Sequence, residues 1–330
     1  MERLRKFAAV LLCAANGIHA FSQIPDYKWD LQCDYITAFK HNGKTVWQFN
    51  ADPAEASKPH FDILCAAGGN SLVATKPEDH IWHLGHWFSW KYINGVNYWE
   101  TDKNGIARGE TFWSVPERIL NADGSARFII ELGYRPRTGE NARTLLTEYR
   151  EIAVSAPDSA GSYTLDWIQR FTATENVTLD RTPVTGEEGG VDWGGYAGLS
   201  VRLSSEMKEV KTVTTGSSSI RRRKNGFVDV FDAAGVEQNG VINGEEYGIA
   251  VLTHPDSQYG RDWYVIQEKN FTFINPAVLL RSAVKLPGGE TLRLRHRVHV
   301  HRGRWDAAGL SKAAETYGKQ KFPSANQILK

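Results

Sequence analysis

The sequence predicts an all-β fold, a sandwich or barrel with one short C-terminal helix. Three observations predict it. From about residue 27 onward, apolar residues recur with period two far more often than with period 3.6. Turn dipeptides break that pattern at short intervals: Asn42-Gly43, Asn94-Gly95, Asp123-Gly124, Asn225-Gly226, Asn243-Gly244 and Pro287-Gly288-Gly289. Only one segment carries a helical pattern, which argues against alternating strands and helices.

Residues 44–49, 127–132, 146–154, 248–252 and 263–273 read as extended. In residues 163–171, Tyr163, Leu165, Trp167, Gln169 and Phe171 share one face, and Thr164, Asp166, Ile168 and Arg170 the other. Near the end, Leu292, Leu294, Val298 and Val300 alternate with Arg293, Arg295, Arg297, His299 and His301, and His296 falls on the apolar face. Asn275-Pro276 reads as a turn after this stretch of strand, and the basic run 221–224 as a solvated loop. The helix starts at Asp306, which can accept from the first free N–H groups, and Gly318 can end it. Leu310, Ala313, Ala314 and Tyr317 lie on one side of it.

Arg3, Arg5 and Lys6 precede an apolar run from Phe7 to Ala15, with Ala20 and Ser22 as candidate cleavage-site residues. Residues 1–22 are therefore expected to be a signal peptide, and 23–330 a single β domain that is secreted or periplasmic. No stretch reaches the roughly 20 apolar residues that span a bilayer, so no integral membrane span is expected. With 39 Lys and Arg against 38 Asp and Glu, no nucleic-acid partner is expected. Cys33 and Cys65 remain after cleavage; the spacing leaves their pairing open. Two thiolates do not make a structural zinc site.

The chemistry-bearing residues fall in four segments. The first runs from Pro77 to Trp90 and holds three of the ten His, His80, His83 and His86, interleaved with Trp82, Trp87 and Trp90. On a strand His80 and His86 would share a face with His83 opposed; on a helix, at about 100° per residue, all three would fall within about 120° of arc; in the loop that Pro77, Glu78 and Asp79 suggest, any pair can converge. Such a cluster beside acids reads as a site, because imidazole gives or takes a proton near neutral pH. The second segment holds Asn94, Trp99 and Glu100, with amide and carboxylate partners for hydroxyls beside aromatic faces. The third, 185–195, holds Glu187, Glu188, Asp192 and Trp193 between glycines, where backbone can approach a ligand closely. The fourth holds His254-Pro255-Asp256 and then Arg261-Asp262-Trp263, at a strand end. No nucleophile elbow, zinc-protease helix, dinucleotide turn or phosphate loop occurs, which excludes the common hydrolase and nucleotide-binding classes.

Taken together, the Asp79-His80, His83, Gly85, Trp87, Asn94-Gly95 and Trp99 core, Glu188-Gly189-Gly190, His254-Pro255-Asp256, Asn275-Pro276 and the ending from Arg297 to His301 resemble a secreted bacterial family catalogued as methane oxygenase PmoA-like. The chain departs from that pattern at His86 and in residues 191–195. A membrane oxygenase needs several spanning helices, which this sequence lacks. The resemblance implies instead a large β-sandwich of supersandwich, galactose-mutarotase-like type, with a carbohydrate ligand and a His and a Glu as acid and base. On this reading His80 or His83 is the proton donor, Glu188 the base and His254 a second polarising group. Trp82, Trp87, Trp99 and Trp263 are stacking platforms, Glu100 and Arg261 bind hydroxyls or a carboxylate, and Asp79 and Asn94 complete the binding set. No cofactor is expected, with a divalent metal on the histidines left open. A non-catalytic glycan-binding module is the alternative, and a His-ligated metal enzyme a third.

Overall fold

The alternation seen in the sequence becomes strict alternation of burial. Along Tyr163–Ala173 every odd residue is buried and every even one half-exposed. The strand Thr291–Arg302 does the same from Leu292 to Val300, with His296 fully buried. A computed structural model describes residues 27–66, 69–137 and 142–321; the expected signal peptide, 1–22, lies outside the described residues.

The strands build two large antiparallel sheets and one small one. The first has ten strands, with Tyr27–Leu31 at one edge and Ser219–Arg222 at the other. The second has nine, centred on Thr291–Arg302 and Tyr163–Ala173. A four-stranded sheet of short strands includes Tyr92–Ile93 and Val177–Asp180. The two large sheets face each other across one core, as a large sandwich must. Aromatic rings bridge the layers: Trp47 meets Phe128 at 6.0 Å and Phe88 meets Phe171 at 5.2 Å between ring centres. The Asn-Gly hairpins form as read. Asn42, Gly43, Asn94, Gly95, Asn243 and Gly244 all take positive φ between 48° and 81°, the geometry such two-residue turns require.

The helix runs Ala307–Gly318, with the Asp306 carboxylate accepting from the Gly309 N–H. Its Leu310 and Tyr317 pack on Ala250 and Leu252, on the outer face of the nine-stranded sheet. Two readings need correction. Residues 263–273 are two strands, Trp263–Gln267 and Thr272–Pro276, because a turn at Glu268 and Phe271 reverses the chain. Asn275 and Pro276 therefore end a strand rather than form a turn. Cys33 is exposed, Cys65 is buried, and both are free thiols.

The sheets also bury polar groups. Between them, Arg150 donates to Glu148 at 2.6 Å and 2.9 Å, and Gln169 donates to the same carboxylate at 2.8 Å. Burial pushes three fully enclosed histidines down: His60 and His86 to about 4 and His296 to about 3. These values lie below the ordinary 6.5, so the folded protein holds the rings neutral. Above pH 6.5 both states carry neutral rings. As the pH falls toward 4, only the unfolded chain takes up the protons, and stability is lost. We predict a thermal midpoint that is flat from pH 8 to 7 and falls steeply between about pH 6 and 4. An unchanged midpoint at pH 5 would contradict it. Truncation of Trp167, which sits fully buried between the sheets, should cost about 3–5 kcal/mol in denaturant unfolding with little change in m value.

Candidate functional site

The ten-stranded sheet has a second face, turned away from the core. Cross-strand register sets which residues point there. Trp87 pairs with Ser200, Arg202 with Phe273, Ile266 with Phe273 and Tyr264 with Asn275. Their sequence neighbours Phe88, Val201, Ile274, Val265 and Trp263 belong to the inner core. On the outer face, Trp87, Trp99, Tyr264, Ile266 and Phe273 form a separate apolar cluster. Above that cluster lies a cavity of about 470 Å³. Its walls are mostly aromatic: Trp82, Trp99, Trp193, Tyr196, Phe227, Tyr264, Phe271 and Phe273, joined by His80, His83 and Glu100.

The histidine segment reaches the cavity because it is a run of turns. The His80 N–H bonds back to Pro77 O, and the His83 N–H to His80 O at 2.9 Å. Of the geometries open to this segment, the structure has the loop suggested by Pro77, Glu78 and Asp79, not the strand that would put His80 and His86 on one face. His80 and His83 stack at 4.6 Å instead. His86 starts the strand His86–Ser89 and points into the core, its Nδ1 against Ser200 O at 2.9 Å. Gly85 makes this switch of direction possible. It takes φ +75°, and a Cβ there would lie 2.5 Å from Phe61 O and 2.9 Å from Thr75 Oγ1.

His80 and His83 differ electrically. Asp79 Oδ2 accepts from His80 Nδ1 at 2.9 Å and from Arg202 Nη2 at 2.8 Å. Burial would raise the Asp79 pKa, but the bonds from Arg202 and His80 outweigh it and hold the carboxyl below its ordinary value. An ionised carboxylate only accepts, so the His80 Nδ1–H donates to it and Nε2 is the ring nitrogen that this bond leaves uncommitted. His83 is 4% exposed, its Nδ1 has no partner, and burial together with the nearby His80 and Arg202 charges pushes its pKa well down. It is a neutral wall residue at pH 7.

Glu100 is held just as firmly. Asn97 Oδ1 accepts the Trp99 and Glu100 N–H groups at 2.8 Å and 3.2 Å, a local turn that fixes both side chains. Lys91 Nζ contacts both Glu100 oxygens at 2.5 Å, Asn97 Nδ2 donates at 2.6 Å and Tyr196 OH at 2.8 Å. Burial acts to raise the Glu100 pKa, yet the Lys91 charge and these bonds keep it below the usual range. Beneath it, burial pushes Lys58 down to about 7 against the pull of Glu100. Lys58 Nζ donates to Trp99 O at 2.8 Å.

Other expected site residues lie elsewhere. Trp87 is fully buried and supports the site from below, its ring 5.0 Å from His83, so it offers no open face. Trp263 is fully buried in the inner core, donating to Ala233 O, so it is no platform; the next residue, Tyr264, has the outward position. Asn94 is exposed in its turn, accepting the Thr178 N–H. Glu188 is exposed and is not among the cavity walls; its loop contributes Trp193 instead. His254 packs against Tyr317 at 5.1 Å and bonds Gln320 O at 3.1 Å, under the helix on the other large sheet. Arg261 is exposed and donates to Asp232 O. Three of the four segments thus meet; no named residue of the fourth lines the cavity, and only the residue after it, Tyr264, does. Tyr196, Phe227, Phe271 and Lys91 were missed. Tyr196 follows a flagged loop directly, but nothing local marks Phe227. Among the described residues, no group of three or more His, Cys, Asp or Glu is arranged to hold a metal ion. No helix among them is long and apolar enough to cross a membrane.

The chain belongs to the family of unknown function DUF6807, whose family model matches residues 37–315. No curated protein matches it significantly. Among solved structures it is similar to an alpha-galactosidase from Lactobacillus brevis (8% identity, TM-score 0.34), covering 88% of this chain and 41% of that one. It is also similar to a galactose mutarotase related enzyme from Lactobacillus acidophilus, at 7% identity and TM-score 0.34, covering 85% of this chain and 98% of that one. A galactose mutarotase-like protein from Clostridium acetobutylicum matches at 9% identity and TM-score 0.33, over 84% of this chain and 99% of that one. The chain spans less than half the length of the alpha-galactosidase. With TM-scores this low, any functional assignment rests on the chain's own residues.

We predict that Gly85→Ala lowers stability by more than about 2 kcal/mol, because both a positive φ and a carbonyl contact forbid the methyl. A variant as stable as the wild type in denaturant titration would refute the turn geometry.

Proposed function

We propose that this protein binds carbohydrate in the aromatic cavity and moves a proton there with His80. One observation carries the reading: an Asp79–His80 pair at 2.9 Å on the wall of a cavity lined by five Trp and Tyr rings that combine apolar faces with polar tips. Sugar rings present CH groups to aromatic faces and hydroxyls to polar tips. Trp82, Trp99, Trp193 and Tyr196 supply those faces. His80 Nε2 is the base; once protonated, the ring is stabilised by Asp79, as in other carboxylate-held histidines.

The geometry also narrows the reaction. Two-carboxylate hydrolysis needs an acid and a base free to act on either side of the bond. Among the described residues Glu100 is the one carboxylate lining the cavity, and four contacts from Lys91, Asn97 and Tyr196 fill its acceptor sites. It anchors Lys91 and Tyr196 rather than acting as base. Ring opening, epimerisation or elimination at a sugar fits one histidine better than hydrolysis does. The commitment of Glu100 also favours the second reading, a glycan-binding module without turnover. The leader-like pattern of residues 1–22 supports export, so we place the protein outside the cytoplasm.

A screen of neutral and oxidised oligosaccharides, with mass-spectrometric and NMR detection of products, tests both readings. His80→Gln should lower turnover by about 10²–10⁴-fold while affinity stays within about twofold. Trp193→Ala should weaken binding by about tenfold. Binding without product in the wild type selects the module; full turnover by His80→Gln refutes the proton-transfer role.

A further inference from the structure

The basic run 221–224 is not a plain solvated loop. Arg221 and Arg222 end the strand Ser219–Arg222, an exposed edge of the ten-stranded sheet, and Arg223 and Lys224 continue the chain. Four consecutive cations repel one another unless something offsets them. Asp229, fully buried, offsets two. Arg221 Nε donates to it at 2.7 Å, and Arg223 grips it with Nε at 3.0 Å and Nη2 at 2.6 Å. The side chains of Arg222 and Lys224 are exposed and have no hydrogen-bond or ion-pair partner among the described residues.

These cations line a notch of about 170 Å³ with Val184, Thr185 and Asp192. Asp192 is its one acid, and one of that carboxylate's oxygens is taken by the Thr185 hydroxyl. The notch adjoins the aromatic cavity through a single loop. Asp192 lines the notch and Trp193 the cavity. Arg223 ties the two together: Nη1 donates to Asp192 O at 3.1 Å and to Gly194 O at 2.6 Å, and its guanidinium lies 4.8 Å from the Tyr264 ring of the cavity wall. Asn225 adds a third bond to the same loop, Nδ2 to Asp192 O at 3.0 Å.

We propose that this notch is a subsite for an anionic substituent, a carboxylate or sulfate group, on the sugar residue next to the one in the aromatic cavity. The inference rests on the carbohydrate reading of the cavity and extends it to acidic oligosaccharides. The Arg222 guanidinium presents paired N–H donors that match either oxyanion, and Lys224 adds a point charge beside it. The Asp229 clamp fixes the backbone that carries both, so the free cations are presented without reordering the strand. The notch is too small for a second aromatic-lined ring site but large enough for a charged group.

Calorimetric titration of the full chain with three probes of equal length tests this: oligogalacturonate, its neutral methyl ester, and a sulfated galacto-oligosaccharide. Either or both acidic probes should bind about fivefold to tenfold more tightly than the ester at low salt, and the gap should close at high salt. The arm that shows the larger gap identifies the substituent. In Arg222→Gln/Lys224→Gln, whose side chains are exposed, the gap should shrink below about twofold while ester affinity is unchanged. Lys285→Gln, an exposed cation on the small sheet, should leave the gap intact. Equal binding of all three probes overturns the subsite and leaves the cavity reading standing. A gap that survives the double variant also overturns it. If no probe binds, the subsite falls; the carbohydrate reading falls with it only if neutral sugars also fail in the screen above.

Discussion

The central strands of the ten-stranded sheet are buried on both faces, and the rest of the structure follows from that. Every residue of His86–Ser89, Gly198–Arg202 and Thr272–Pro276 is buried. One face packs on the second sheet in the usual way of sandwiches. The other must find apolar cover without a third large sheet, and it gets that cover from turns and loops that bring rings: the 77–85 turns, the Trp99 turn, the Trp193 loop and Phe227. Loops cover a surface less completely than a sheet does, because their backbones must keep their own polar groups satisfied. The space they leave is the cavity. The proposed binding site therefore lies where the fold's second apolar face is roofed by aromatics.

Polar groups in this roof are held by short, charge-assisted contacts. Asp79 joins His80 to Arg202, whose guanidinium sits 3.9 Å from the Phe271 ring. Glu100 joins Lys91, Asn97 and Tyr196. Each carboxylate sits between a cation and a hydrogen-bond donor, which offsets part of the cost of partial burial. Asp229 does the same for Arg221 and Arg223 at the neighbouring edge. The inner core holds a stricter case, the Glu148–Arg150 pair at 1% exposure or less. Such buried pairs contribute little net stability, but losing one partner leaves an uncompensated charge at a cost of about 3–5 kcal/mol.

Much of the fold was legible because alternation is a local property. The strand Leu146–Val154 and the helix Ala307–Gly318 were read with the bounds the structure shows or close to them. The site was legible in part. Asp79, His80, His83, Trp82, Trp99 and Glu100 were singled out, and the structure brings them to one region. Trp263 is expected as a platform, yet its neighbour Tyr264 holds that position. Alternation says that they face opposite ways, but not which way is inward. His254 shared the composition of a site residue, yet its strand belongs to the other sheet.

The sequence alone determined that the chain is mostly strand, the place of several of its longer strands and of the C-terminal helix, the Asn-Gly turns, and the enrichment of rings and imidazoles in a few segments. These are matters of side-chain period, backbone sterics and composition, all decided within a few residues. Tertiary structure alone decided which face of each strand is core and which is cavity, and which loops share a roof. Those depend on pairing between strands far apart in the chain, such as Trp87 with Ser200 and Tyr264 with Asn275. A one-residue shift in either register would exchange cavity and core, and only the packing energy of the whole sandwich excludes it.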